Sequence, residues 1–169
     1  MPDDIASAVP SPAPELRILA PLVGTWEAEE RTRDSIIGPG GPVRNRETFE
    51  WLDGGYFLVQ TYETVFGDEP AQIGVNYWRF DQDDGRFRII FFSNNGPYTP
   101  EGNHYEGLAD GDTLTLEGPA RFQYRLGKDG AVLLNEDGSV TVDWWLRDES
   151  GAWKPWMSNT FRRTDPALE

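Results

Sequence analysis

Leu19-Ala20-Pro21-Leu22-Val23-Gly24-Thr25-Trp26 is the stretch whose reading decides the fold. It places a G-x-W at the head of a run of about ten short strand-like segments. Arg162-Arg163 lies on the last of those segments. A Gly-x-Trp on the first strand and an arginine on the last are the parts that plug the closed end of a small antiparallel barrel. The indole fills the floor and the guanidinium packs across its face, a cation–π contact worth roughly 0.5–2 kcal/mol. Gly24, Trp26, Arg162 and Arg163 are therefore assigned to barrel closure. Barrels of about 8 to 10 strands either fill with their own side chains or hold one small ligand. The sequence describes a container.

Outward from this stretch the chain divides simply. Residues 1–14 carry four prolines among small residues and read as a flexible tail. Residues 15–169 read as one domain. Glu15 to Leu22 predicts one or two helical turns, with Pro14 suited to the first helical position. Leu16, Leu19 and Leu22 recur every three residues and face inward, so this segment caps the barrel floor. Strands follow over 24–33, 43–52, 56–66, 72–80, 86–93, 103–109, 113–116, 120–126, 139–147 and 153–164, with 131–134 either a short extra strand or part of a loop. Two stretches are irregular: the Gly/Pro-rich segment around 33–42, and 94–102. Strands in sequence, at roughly 8–12-residue spacing and without intervening helices, form an up-and-down meander. The fold class is all-β: a single antiparallel β-barrel of about ten strands with a short N-terminal helical plug.

Composition narrows the function. A chain of 169 residues is one domain by length. It has no cysteine, which removes disulfides, thiolate nucleophiles and cysteine-ligated metals. The residues after Met1 form neither a basic nor an apolar leader region, and no apolar run approaches membrane-spanning length, so a cytoplasmic protein is expected. The formal net charge of -14 repels phosphate backbones and anionic head groups, so neither nucleic acid nor membrane is expected as a partner. Seven Trp, six Tyr and nine Phe suit strands and bury well. They either pack a core or line a cavity that stacks on a flat ligand.

The Leu-rich turn with Leu19 and Leu22, Gly24-Thr25-Trp26, and Trp51-Leu52-Asp53-Gly54-Gly55 resemble the opening of lipocalin-like, calycin-type bacterial domains of unknown function. The chain is also distantly similar to the nitrobindin family, ten-stranded haem barrels with a Leu-x-x-Leu-x-Gly-x-Trp opening. The pattern spans about residues 15 to 164, so the resemblance implies a lipocalin-like barrel domain over 15–169. Nitrobindin-like proteins ligate haem through a histidine on a C-terminal strand. The corresponding segment here, 153–163, has none, leaving only His104, Met157 or a tyrosine as substitutes. No cofactor is expected.

His104, the only histidine, is either a base or ligand at the barrel mouth or a rim residue bonded to a neighbour. One histidine without cysteine supplies too few ligands for a metal. The acidic stretches 81–85 and 135–138 are hairpin turns lacking the spacing of calcium loops. Inward parity is more informative. If Trp26 points inward, so do Ala28 and Glu30; if Phe49 and Trp51 do, so do Asn45 and Glu47. Asn76, Tyr62, Asn94, Asp143 and Asn159 join them from other strands. Polar groups on an inward face are costly unless hydrogen-bonded or wetted. They anchor a ligand in a mostly aromatic pocket, or reach solvent at the rim. Ile36 and Ile37 are either a flap over the mouth or rim packing. The expected pocket is Glu47, Phe49, Trp51, Tyr62, Asn76, Trp78, Phe92, His104 and Trp145. The expected function is non-catalytic binding of a small apolar or aromatic molecule. The alternatives are an isomerase, cyclase or hydrolase using His104 or Glu47 as base, and a nitrobindin-type haem protein.

Overall fold

The computed structural model describes residues 11–95 and 103–164. Residues 1–10 of the expected tail and most of the loop at 94–102 lie outside the described residues. A nine-residue 3₁₀ helix, Pro14–Leu22, leads into ten strands. They are β1 (Gly24–Arg31), β2 (Pro42–Trp51), β3 (Leu58–Phe66), β4 (Gln72–Asp81) and β5 (Arg86–Ser93), then β6 (His104–Asp110), β7 (Thr113–Glu117), β8 (Arg121–Arg125), β9 (Val140–Arg147) and β10 (Trp153–Arg163). Each pairs antiparallel with its sequence neighbours, and β1 pairs with β10 to close the barrel. Residues 131–134 form a loop, joined to the wall by a Leu126–Val132 bridge and by Leu133 N donating to Arg125 O at 2.9 Å, and to the helix by Val132 N donating to Ile18 O at 2.8 Å. Among the described residues no helix is long and apolar enough to cross a membrane.

The threefold leucine spacing explains the helix type. Side chains three apart eclipse in a 3₁₀ helix, so Leu16, Leu19 and Leu22 form one row, all fully buried in the barrel floor. Pro14 opens the helix, where its missing N–H costs nothing.

Closure rests on a cluster where β1 and β10 meet. The ladder between them registers Trp26 with Arg163 and Glu27 with Arg162, the shortest ladder in the barrel. The Arg163 guanidinium stands 4.3 Å from the Trp26 ring centroid. Its two terminal nitrogens donate to the carbonyls of Val23 and Pro21 at 2.5 and 3.2 Å, while the Trp26 indole N–H donates to Leu22 O at 2.6 Å. Three carbonyls at the end of the 3₁₀ helix, which lack intrahelical partners, are thus capped by two strand side chains. Arg162 points the other way, into solvent, and pairs with Asp137 at 2.9 Å. Its assignment to closure is corrected by alternation: adjacent strand residues face opposite sides.

Farther up, β10 carries a bulge between Pro155 and Met157. It turns both Trp156 and Met157 inward. The carbonyl of Trp156 accepts from Arg33 N at 2.7 Å, so the segment after β1 is tied to β10 at the open end.

Replacing Arg163 with Ala is expected to cost about 2–4 kcal/mol, the loss of one cation–π contact and two charged hydrogen bonds to half-buried carbonyls. Replacing Arg162 with Ala is expected to leave stability essentially unchanged. Urea unfolding of both variants checks this, and equal losses would remove Arg163 from its special position.

Candidate functional site

The barrel is not filled. Above the floor lies a cavity of about 310 Å³, at the lower end of the range of ligand pockets. Trp78 forms its base, packed edge-on against Phe122 and Tyr124 with ring centroids 5.9 and 6.2 Å away. One wall is aromatic: Phe122 lies 4.6 Å from Trp144 and 5.2 Å from Tyr105, which in turn lies 5.3 Å from Phe91. Ile37, from the loop after β1, lines the opening although its side chain is largely exposed. That loop is held by Gly40 N donating to Asp34 Oδ1 at 2.7 Å. Gly40 has no room for a side chain, since a Cβ would fall 2.4 Å from Thr32 O.

The other wall is polar. Gln60 on β3 organises it. Its Oε1 accepts from Asn76 Nδ2 at 2.8 Å and from Trp78 Nε1 at 2.9 Å. Two donors on the oxygen fix the amide, so its Nε2 is turned to Glu47 Oε2 at 2.9 Å. Glu47 is 9% exposed, and burial pushes its carboxyl up to about 7 despite the opposing hydrogen bond from Gln60. Burial, and then the Glu47 charge, raise the Tyr124 phenol well above its ordinary value. Tyr62 lies across Gly74, where a Cβ would sit 2.4 Å from the phenol ring.

Some polar atoms on both walls of the cavity are unsatisfied. Thr64 Oγ1 donates to Asn45 Oδ1 at 2.7 Å, but Asn45 Nδ2 finds no partner among the described residues. The same holds for Trp144 Nε1 and Asn159 Oδ1. All three belong to residues lining the cavity. Asn159 is 1% exposed, so its orphaned oxygen is not a surface atom. Buried polar groups are ordinarily paired, and each exception calls for a cause.

Of the pocket residues expected from sequence, the structure brings together Glu47, Tyr62, Asn76 and Trp78 around the cavity. Phe49 is buried beneath it, 6.4 Å from Trp78. Three expectations are corrected by a single residue each. Phe92, 58% exposed, is on the outer wall, and Phe91 lines the cavity. His104 is exposed opposite Ile90, with Tyr105 inside. Trp145 shares the outward face of Asp143, and Trp144 is inside. Trp51 is corrected for another reason: its parity is right, but it ends β2 at the floor, below the cavity and half out in solvent. Asp143 accepts from Ser158 on the outer face, and Asn94 bonds Ile73 N and Ala71 O outside the barrel.

Sequence reasoning passed over Gln60, the residue that ties the polar wall together, and the Asn45–Thr64 pair was left half-read. Gln60 shares inward parity with Tyr62 on β3, which was the available signal. Among the described residues no group of acidic or histidine side chains is arranged to hold a metal.

The buried Glu47 makes stability pH-dependent. Its native value of about 7 lies above the 4.5 of an ordinary glutamate. The native chain therefore keeps a proton that the unfolded chain has released over that interval. The stability contributed by the neutral carboxyl is full below about pH 4.5 and is lost as pH rises through about 7, by about 3 kcal/mol at most. Glu47→Gln keeps the acceptor for Gln60 and removes the titration. Urea unfolding is expected to show the native chain weakening across this window and the variant flat; parallel curves would contradict a buried, raised carboxyl.

The crystal structure of Rv2717c from M. tuberculosis has a similar fold, with a TM-score of 0.61 at 17% identity over 92% of this chain and 100% of that chain. At this identity the likeness is one of fold. No protein of curated function matches the sequence. The pattern of a family described as proteins of unknown function, DUF1579, matches residues 11–163, a span that takes in the 3₁₀ helix and all ten strands, and the chain belongs to that family.

Proposed function

We propose that the barrel binds one small, largely apolar molecule in its interior without transforming it. The observation that carries this reading is the unsatisfied polar wall facing an aromatic one across a cavity of about 310 Å³. A barrel that served only as a packed body would fill this space with side chains. A dry, purely apolar cavity would need no amides. A cavity with aromatic surface and a few convergent polar groups has the make-up of a ligand site.

Haem, which the nitrobindin resemblance brings to mind, does not fit this donor set. Among the described lining residues there is no histidine, and His104 stands outside the barrel. Met157 and the tyrosines are the remaining axial candidates, and Tyr124 is held strongly in its neutral form. One observation favours a second reading. Glu47 is a carboxyl held near neutrality inside a cavity, the property a general acid or base requires. Turnover of a bound molecule that disappears in Glu47→Gln would establish that reading in place of simple storage or carriage. The loss of His104 to the outer wall leaves Glu47 as its only support.

The container reading is tested with the neutral fluorescent probe N-phenyl-1-naphthylamine. The native chain is expected to bind one molecule with blue-shifted emission. Val142 lines the cavity and is buried, so Val142→Phe fills part of the space and is expected to weaken the probe by about tenfold or more while the far-ultraviolet circular dichroism stays native. A native chain that takes up no probe, or a variant that binds equally well, would overturn the proposal.

A further inference from the structure

The chemical class of the occupant follows from how the topology divides the cavity, an inference that rests on the container reading. The amide and carboxyl side chains come from neighbouring strands: Asn159 on β10, Asn45 and Glu47 on β2, Gln60 on β3 and Asn76 on β4. Between β10 and β2 lies β1, whose inward residue beside Asn45 is the small Ala28. The polar side chains therefore share one side of the cavity, on strands that also contribute Phe66, Trp156 and Phe161 to its lining. The opposite arc, β5 to β9, supplies Phe91, Tyr105, Phe122, Tyr124 and Trp144. A flat ligand lying between the two meets π-faces on one side and hydrogen-bonding groups along one edge.

Charge decides what that edge carries. Among the described residues lining the cavity there is no lysine, arginine or histidine. Among these described residues Glu47 is the only carboxyl, and it is held in place. Its Oε2 is held by Gln60, whose own orientation is fixed by Asn76 and Trp78. A carboxylate ligand would find no cation to receive it, and would be placed near a like charge in a poorly screened interior. The unsatisfied atoms ask for something else. Asn45 Nδ2 and Trp144 Nε1 are donors and Asn159 Oδ1 is an acceptor. A group offering both an acceptor and a donor answers them, and a hydroxyl or a carbonyl beside an N–H does so without charge.

We propose that the barrel selects an uncharged planar molecule, one ring or two fused rings bearing a hydroxyl, carbonyl or amide edge, and rejects carboxylates through Glu47. The titratable groups around Glu47 are Tyr62 beside it on β3 and, across the cavity, Tyr124 on β8 and Tyr105 on β6. None is a cation in any protonation state, so among the described lining residues Glu47 alone sets the charge.

Calorimetric titration of the full chain with naphthalene, 2-naphthol and 2-naphthoate tests this directly. At about pH 8, where Glu47 is ionised, 2-naphthol is expected to bind about tenfold more tightly than either of the other two. At about pH 6 the 2-naphthoate deficit should shrink to within about threefold, because the neutral carboxyl no longer repels it. Glu47→Gln should show the smaller deficit at both pH values. The pH comparison on the native chain stands by itself if the variant does not fold. Binding of 2-naphthoate as tight as that of 2-naphthol at the higher pH would overturn the proposal and leave the container reading intact. So would naphthalene and 2-naphthol binding equally. Failure of all three to bind would overturn both.

Discussion

Arg163 does three things at once, and the remainder of the barrel depends on them. It lies over the Trp26 indole, it holds two carbonyls at the end of the 3₁₀ helix, and it sits in the two-residue ladder that joins the last strand to the first. Without it the helix would end in exposed acceptors above an apolar floor, a costly arrangement in the absence of water. The leucine row of the helix, Leu16, Leu19 and Leu22, is buried in the floor where the last carbonyls of the helix are also satisfied. Floor, helix and closing seam are therefore one cooperative unit, built from residues at opposite ends of the described chain.

A sealed floor is what allows the upper half to stay hollow. Phe49, Leu58 and the Trp26 indole supply a dry layer below Trp78, and the wall above need not pack to its centre. The polar arc is then arranged by Gln60, whose amide is committed in every direction the structure gives it. Glu47 is buried near this amide with no cation beside it, which is why desolvation prevails over the hydrogen bond and its carboxyl stays protonated to near neutrality. The hollow, the raised carboxyl and the unpaired amide atoms share one cause: polar side chains on strand positions whose parity points them inward.

Much of the fold was legible from residues. G-x-W, the threefold leucines and evenly spaced turns gave the closed ten-stranded meander with its plug, because these are local features tied to strand period and turn chemistry. The site was legible strand by strand and failed where parity was misjudged. In β5, Arg86 and Arg88 mark the outward face that Phe92 shares. In β6, Glu106 does the same for His104, since it pairs with Arg88 outside. In β9, Thr141 and Asp143 mark the face of Trp145. A charged residue two or four positions away was a better guide than the size or reactivity of the side chain itself. Trp51 failed differently, since alternation gives the face but not the height along the barrel. Gln60 was missed because a glutamine carries no signal of chemistry until its neighbours across three strands are known.

The seam described between β1 and β10 makes the wall unequal around its circumference. Elsewhere adjoining strands are stitched along four to nine residue pairs, whereas here the ladder covers two pairs at the base, extended by Thr164 N donating to Thr25 O, with a tie from Arg33 to Trp156 at the top. Thermal fluctuations part a protein first where the fewest hydrogen bonds resist. In this molecule the seam with the shortest ladder runs past Asn159. The wall thus has its fewest rungs beside the polar arc, directly above a floor that Arg163 binds from both chain ends.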